Sequence, residues 1–307
     1  MALKEQTSSF LVYTANEPRP AIASPEDYAV CRRVMQAASK NYTFASLFLP
    51  AGRRPFVEAL YAFFRVGDDR VDVSHAGFGS RLAAIEDWEH TYWHAFEVGG
   101  SPHPVMRAYL DTALHFDIPV EIMAPYFRAM REDLTITRFP TFGALLHYIE
   151  GSALPVGRAM TYLMGVRAPY RLADALPGAD SLSTAMQLSN FWRDIAEDWR
   201  LGRVYLPQED MQHFGVSEGD IAAGQVTPQL VDLLEFEIER TEAIYQRARQ
   251  AVPMLAHGRW GVQSGLEVYR AILTGVRRQR HDVFSRRAGP GKLDKIGLSL
   301  RAWWDSR

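Results

Sequence analysis

The 307-residue chain has very little cysteine, little lysine and no long apolar run. Its single cysteine, Cys31, excludes an internal disulfide framework and a cysteine-rich metal site. The lone thiol is expected to pack as a small apolar residue. No stretch approaches the ~18 apolar residues of a membrane-spanning helix. Met1 to Phe10 hold no apolar segment of signal-peptide length. These absences lead to the expectation of a soluble, cytoplasmic protein, with contact at a membrane surface left open. Neither GxxxxGK[ST] nor GxGxxG occurs, so the P-loop and Rossmann routes to a bound phosphate fail. A basic excess is missing too: 34 Lys and Arg face 36 Asp and Glu, a net charge of -2. That balance argues against a nucleic-acid binder, whose affinity comes largely from phosphate neutralisation. Only Lys4, Lys40, Lys292 and Lys295 are lysines; every other basic residue is Arg. Arginine suits bidentate contact with diphosphate, although genomic base composition produces the same bias.

What is present is core-forming material: 47% hydrophobic and 12% aromatic residues. Residues 1–24 are polar and broken by Pro18 and Pro20, and read as a loose tail. Ser24-Pro25-Glu26-Asp27 is a helix-start signal, with Ser as cap and Pro in the first turn. Helices are expected from there to about Ser39, from Arg54-Pro55 through Val66, and over 80–98 between Gly79 and Gly99. Others follow over 104–115, 119–131, 141–150 and 155–164, with the longest over 181–200, 227–252 and 260–286. Alternation never persists and no Asn-Gly or Asp-Gly hairpin appears, so strand signals are nearly absent. No linker or composition shift marks a boundary. The expectation is a single all-α domain over 25–307.

Two acidic segments stand out. In Tyr61-Ala-Phe-Phe-Arg65-Val-Gly-Asp68-Asp-Arg-Val-Asp72, residues Tyr61, Arg65, Asp68 and Asp72 form one stripe on a helix. In Gln187-Leu-Ser-Asn190-Phe-Trp-Arg193-Asp194-Ile-Ala-Glu-Asp198, residues Gln187, Asn190, Asp194 and Asp198 form another. Leu188, Trp192, Ile195 and Trp199 occupy a different side. Like charges at i and i+4 destabilise a helix by about 0.2–0.5 kcal/mol per pair. The first pair also sits near a helix C-terminus, where the dipole disfavours anions. A sequence that does this twice calls for a cation. Carboxylate oxygens, water and substrate phosphate are the ligand set of Mg²⁺, and two such pairs could clamp a diphosphate through metals. The alternative is a solvated acidic face paired with arginines.

At these residues the chain resembles the squalene/phytoene synthase family, the head-to-head prenyl synthases. Asp68-Asp-Arg-Val-Asp72 and Asp194-Ile-Ala-Glu-Asp198 match its two DxxxD signatures, and Gly202-Arg-Val-Tyr-Leu-Pro207 matches the text after the second. Lys40-Asn-Tyr-Thr-Phe-Ala-Ser46, Gly151-Ser-Ala-Leu-Pro-Val-Gly-Arg158 and Asn190-Phe-Trp192 look most like the hydroxysqualene synthases of bacterial hopanoid biosynthesis. Asn41 stands where phytoene and dehydrosqualene synthases usually have Ser, and Val73 where many members have Glu. The resemblance implies an isoprenoid-synthase-type helical bundle with a central apolar cavity, binding prenyl diphosphates through Mg²⁺ held by Asp68, Asp72, Asp194 and Asp198. It implies diphosphate contacts from Arg65 and Arg193 and a catalytic role for Tyr61. Gln187 and Asn190 would lie beside the second metal group, and Asn41, Tyr42, Tyr148, Tyr205 and Tyr269 would contact substrate or line the cavity.

Such chemistry fits these residue types. Metal and arginine neutralise a leaving diphosphate, the allylic carbon–oxygen bond ionises, and the cation needs a dry cavity with ring faces nearby. Attack by a second farnesyl chain gives presqualene diphosphate. After a second ionisation, hydride would give squalene, water hydroxysqualene, and proton loss dehydrosqualene or, from longer chains, phytoene. No nicotinamide-binding motif is visible, so NADPH is not indicated. A hydroxysqualene synthase would take presqualene diphosphate from a partner synthase. A terpene cyclase or chain-elongating enzyme would carry a different second motif. A non-catalytic member acting as a binding protein would be expected to lose motif carboxylates.

His90 and His94, at i and i+4, read as helix-surface residues without a third metal ligand. Arg277-Arg-Gln-Arg280, Arg286-Arg287 and Lys292 form a basic cluster, open to three readings: a diphosphate contact, attraction to anionic membrane, or a solvated face. Trp303-Trp304 reads as packing or as an interfacial anchor.

Overall fold

The computed structural model describes residues 22–38, 49–72 and 75–291, with Asp294, Gly297 and Ala302, the side chains of Asp72, His75 and Ala76 excepted. The expected tail up to residue 21, Asn41, Tyr42, Val73, Lys292 and Trp303-Trp304 lie outside the described residues. The chain divides into two compact units, Met1–Glu121 and Ile122–Arg307.

The first unit holds α1 (Pro25–Ala38), α2 (Arg54–Asp72), α3 (Arg81–Val98) and α4 (Pro104–His115). Helix α1 starts where Ser24 and Asp27 cap each other: the Asp27 amide donates to Ser24 Oγ and the Ser24 amide to Asp27 Oδ2. Ser80 caps α3 by accepting from the Ala83 amide at 3.0 Å, and Gly99 closes it in the left-handed region, φ 72°. Removing that cap with Ser80→Ala is expected to cost about 1 kcal/mol in urea denaturation. The core of this unit is aromatic. Phe63 of α2 stacks on Tyr109 of α4 at 4.2 Å and meets Trp88 and Tyr92 of α3 at 5.5 and 5.6 Å. Cys31 is fully buried, and burial pushes its thiol up to about 12, which leaves it an inert packing group.

The second unit contains α5 (Ala124–Glu132), α6 (Phe142–Ser152), α7 (Leu154–Met164), α8 (Leu172–Arg193), α9 (Ile195–Arg200), α10 (Gln208–Phe214), α11 (Glu218–Ala223), α12 (Pro228–Arg249) and α13 (Arg259–Arg278). Helix α8 packs against α7, α12 and α13. A Cβ at Gly157 would run into Ser183, so the small residue lets α7 approach α8 closely. Leu188 and Trp192, assigned by their spacing to the side away from the acidic stripe, are fully buried. The Trp192 indole donates to Thr241 Oγ1 at 2.9 Å, and Ser189 and Tyr245 share a hydrogen bond at 2.9 Å. These two bonds set the register of α8 on α12. Thr241→Val keeps the volume but strands the buried indole N–H, so a loss of about 1–3 kcal/mol is expected in chemical denaturation.

No β-strand occurs among the described residues, only two isolated bridges, and the fold is all-α as expected. Three helix boundaries are corrected. The helix expected over 181–200 begins at Leu172, carries Pro177 inside it and breaks at Asp194, where φ is -99° and ψ 16°. The helix expected to reach 286 ends at Arg278, because Arg280 and His281 take positive φ. Helices α10 and α11 fall between the helices expected from sequence; at seven and six residues they are too short to show periodicity.

Candidate functional site

In the first unit, α2 carries Tyr61, Arg65, Asp68 and Asp72, and both motif aspartates lie in its last turns. Tyr61, Arg65 and Asp68 are half-buried. Arg65 is engaged by Asp69, with Nε donating to Oδ2 at 3.0 Å and Nη2 lying 2.6 Å from Oδ1. Asp69 was given no role from sequence, although its i, i+4 spacing to Arg65 was readable there.

In the second unit, Asp194 ends α8 and opens α9 at once. Its amide donates to Asn190 O at 2.9 Å, and its carbonyl accepts from the Glu197 and Asp198 amides at 2.8 Å. Its carboxylate is gripped from two sides. Arg193 reaches it at 2.7 and 2.5 Å, and Arg287 at 2.8 Å through both Nε and Nη2. Burial alone would raise this carboxyl; hydrogen bonds from Arg193 and Arg287 outweigh it and hold Asp194 below its ordinary value. Asp198 is the opposite case. Burial, then the charges of Asp194 and Glu197, push it up to about 7 against the opposing arginines Arg203 and Arg193. A water-sized space of ≈10 Å³ beside Asp198 is lined by Phe191, Arg203, Tyr205 and Leu206 among others.

Tyr148 and Tyr205 meet in this neighbourhood. Tyr205 stacks on Phe191 at 3.8 Å and lies 5.9 Å from the Tyr148 ring. The Tyr148 hydroxyl donates to Asp133 Oδ1 at 2.6 Å, while Arg203 donates to Tyr205 Oη at 3.3 Å and to Asp133 O at 3.0 Å. Burial first, and the Asp133 charge next, hold the Tyr148 phenol well above its ordinary value. Both phenols are therefore neutral and anchored at their oxygens, leaving their rings as fixed walls. Tyr269 is half-buried on α13 against the core of this unit. Gln187 and Asn190 are half-buried on α8.

Asp194 and Asp198 offer carboxylate oxygens at the α8–α9 junction, and Gln187 and Asn190 carry amide oxygens on the preceding turns of α8. Carboxylate and amide oxygens are the ligand chemistry of Mg²⁺, and Asp198 is raised by its burial first and by the charges of Asp194 and Glu197 next. The residues therefore fit a hard cation, although no group of three or more candidate protein ligands is assembled on one point among the described residues. His90 and His94 stack at 5.9 Å and belong to no such group among the described residues. In the basic cluster, Arg277 and His281 are both bound to Glu235, while Arg287 reaches Asp194. Three residues with clear contacts here had no assigned role: Asp133, Arg203 and Arg287. Arg203 lies in the Gly202–Pro207 motif, and Arg287 in the basic cluster for which a diphosphate contact is one of three readings.

The model of the squalene/phytoene synthase family matches residues 35–294, and the chain belongs to that family. It is 30% identical over 282 residues to a 15-cis-phytoene synthase of Synechococcus elongatus, covering 88% of this chain and 91% of that one. It is 32% identical to phytoene synthase 3 of Zea mays, covering 89% of this chain and 64% of that longer protein. Among solved structures, squalene synthase HpnC from Alicyclobacillus acidocaldarius superposes with a TM-score of 0.76 at 30% identity, over 83% of this chain and 94% of that one. A dehydrosqualene synthase bound to a ligand gives 0.80 at 28%, over 92% and 98%. No described helix is long and apolar enough to cross a membrane.

Proposed function

We propose that residues 25–307 form one catalytic domain that converts farnesyl diphosphate, presqualene diphosphate or both into hydroxysqualene or squalene, for hopanoid or related triterpenoid synthesis. The observation that supports this reading is the Asp194–Asp198 junction, where two arginines converge on one carboxylate and a second carboxylate is buried beside it. Asp194 and Asp198, and on the other motif Asp68 and Asp72, would hold Mg²⁺. When bound, the metal supplies Lewis-acid neutralisation of a leaving diphosphate. The protein's own part is orientation and charge. Arg193 and Arg287 are already aimed at Asp194, and both can turn their N–H groups to a diphosphate that arrives there. Asn190 and Gln187 offer amide groups from the same helix. Tyr148, Tyr205 and Phe191 present aromatic faces with their polar ends tied back, which suits a carbocation that must meet π-density and not water. Tyr61 and Arg65 act beside the first motif, with Asn41, Tyr42 and Tyr269 as substrate contacts.

The relatives named as phytoene synthases support a second reading, proton loss to dehydrosqualene or, from geranylgeranyl diphosphate, to phytoene. Incubation with Mg²⁺ and each of farnesyl, presqualene and geranylgeranyl diphosphate separates the two. Mass spectrometry of the extract is expected to show hydroxysqualene, formed without NADPH, or squalene. Dehydrosqualene from farnesyl diphosphate, or a forty-carbon product from geranylgeranyl diphosphate alone, replaces the first reading by the second. No turnover of any substrate favours a non-catalytic binding role. The same scheme places the protein in the cytoplasm, receiving presqualene diphosphate from a partner synthase and releasing an oily product at a membrane surface.

A further inference from the structure

We infer that Arg70 is a positioning residue for the first carboxylate stripe, clamping the last turn of α2 against α3 so that Asp68 and Asp72 keep helical geometry. The inference rests on the metal-binding reading of that stripe. Arg70 lies inside the motif, and at 100° per residue it points 200° round the helix from both Asp68 and Asp72. Its position is therefore on the opposite side of the helix from the two motif positions, and among the described residues its contacts are with the segment that follows. Its Nη1 pairs with the Asp87 carboxylate and donates to Ala84 O at 3.5 Å. The guanidinium carbon lies 4.7 Å from the Trp88 ring centroid and 4.8 Å from that of Phe78. Ala84, Asp87 and Trp88 stand at i, i+3 and i+4 of α3, so one side chain grips one face of that helix. The side chain is only 13% exposed. The wall it grips is rigid: Ser80 caps α3, and Trp88 is fully buried against Phe63.

The last turn of α2 needs such a clamp. Asp68, Asp69 and Asp72 crowd a helix C-terminus, where the dipole and their mutual repulsion both favour fraying. Arg65 pairs with Asp69. Arg70 brings a cation to the favoured end of the dipole and a fixed planar fork that a lysine cannot reproduce. Holding the turn before a cation arrives lowers the ordering cost of binding it.

Arg70→Met, Arg70→Lys, Asp87→Asn and the Arg70→Met/Asp87→Asn double variant test this by two readouts that need no turnover. The first is amide hydrogen exchange over residues 66–72. The second is Mn²⁺ binding in the presence of inorganic pyrophosphate, followed by electron paramagnetic resonance. Arg70→Met is expected to speed exchange in that segment about tenfold and to weaken Mn²⁺ binding about tenfold, the equivalent of ~1.4 kcal/mol. Arg70→Lys should fall between it and wild type, and the double variant should be no worse than Arg70→Met. Exchange and Mn²⁺ affinity within twofold of wild type in Arg70→Met overturn the inference. So does an acceleration spread evenly over α1 to α4, which would make Arg70 a general stabiliser. A wild type that binds no Mn²⁺ with pyrophosphate overturns the metal reading and the inference with it; a binding wild type with an unchanged Arg70→Met overturns the inference alone.

Discussion

Asp194→Ala is expected to lower kcat on a prenyl diphosphate by about 10³-fold, ~4 kcal/mol of transition-state stabilisation, while KM stays level or falls. The split follows from the two arginines. On the proposed function, removing the carboxylate takes away a metal ligand, which costs the ionisation step. It also releases Arg193 and Arg287, whose four N–H contacts to Asp194 become available to the substrate's diphosphate. Binding is therefore preserved or strengthened as chemistry is lost. Asp68→Ala, on a stripe whose neighbouring Arg65 is engaged by Asp69, is expected to lose kcat without that gain in binding. Chelation with EDTA should abolish turnover in the wild type. Steady-state kinetics of the two variants decide the matter, with thermal unfolding as the control for folding. Unchanged turnover in both variants would remove the metal-clamp assignment.

Arg287 explains why the site was only half legible in the sequence. Caps are local, and they could be read directly: Ser24-Pro25 opens α1, Ser80 and Gly99 bracket α3, and Thr141 caps α6. The stripe Gln187, Asn190, Asp194 could also be read, because spacing on a helix needs no tertiary knowledge. The break at Asp194 could not. No glycine or proline marks it, and the spacing to Asp198 fits an unbroken helix. The break coincides with the Asp194 carboxylate meeting guanidinium groups, one of them 93 positions away. The Asp133–Tyr148 bond and the Arg203–Asp133 contact are of the same kind, joining segments with no motif in common. Family signatures name the residues that touch substrate. They carry little about residues that hold those residues still, and Arg70 was passed over for that reason, though it lies within the motif itself.

The balance of charge that argued against nucleic acid also conceals buried groups, and the second large effect concerns one of them. Glu237 is expected to contribute a fall in stability of about 3–4 kcal/mol at most between pH 5 and pH 8, and Glu237→Gln to remove that contribution. Glu237 on α12 is fully buried. Its two oxygens lie 3.3 and 3.4 Å from Arg240 Nη1, but Arg240 is shared with Asp210 at 2.9 and 3.3 Å. The guanidinium is further fixed over the rings of Phe142 at 4.0 Å and Phe236 at 4.4 Å. One cation thus serves two carboxyls, and burial pushes Glu237 up from 4.5 to about 8. Between those values the folded chain binds a proton that the unfolded chain has lost, so the stability it confers is complete below about pH 4.5 and gone above about 8. Carboxyls held low, such as Asp27 by Arg107, act in the opposite sense and at pH values below this window. Asp198, also raised, adds to the slope of both proteins and cancels in their difference. Urea denaturation of wild type and Glu237→Gln at pH 5, 6.5 and 8 reads that difference directly. The variant should match or exceed wild type at pH 8, and parallel slopes in the two proteins would show that Arg240 alone suffices to keep Glu237 ionised in the core.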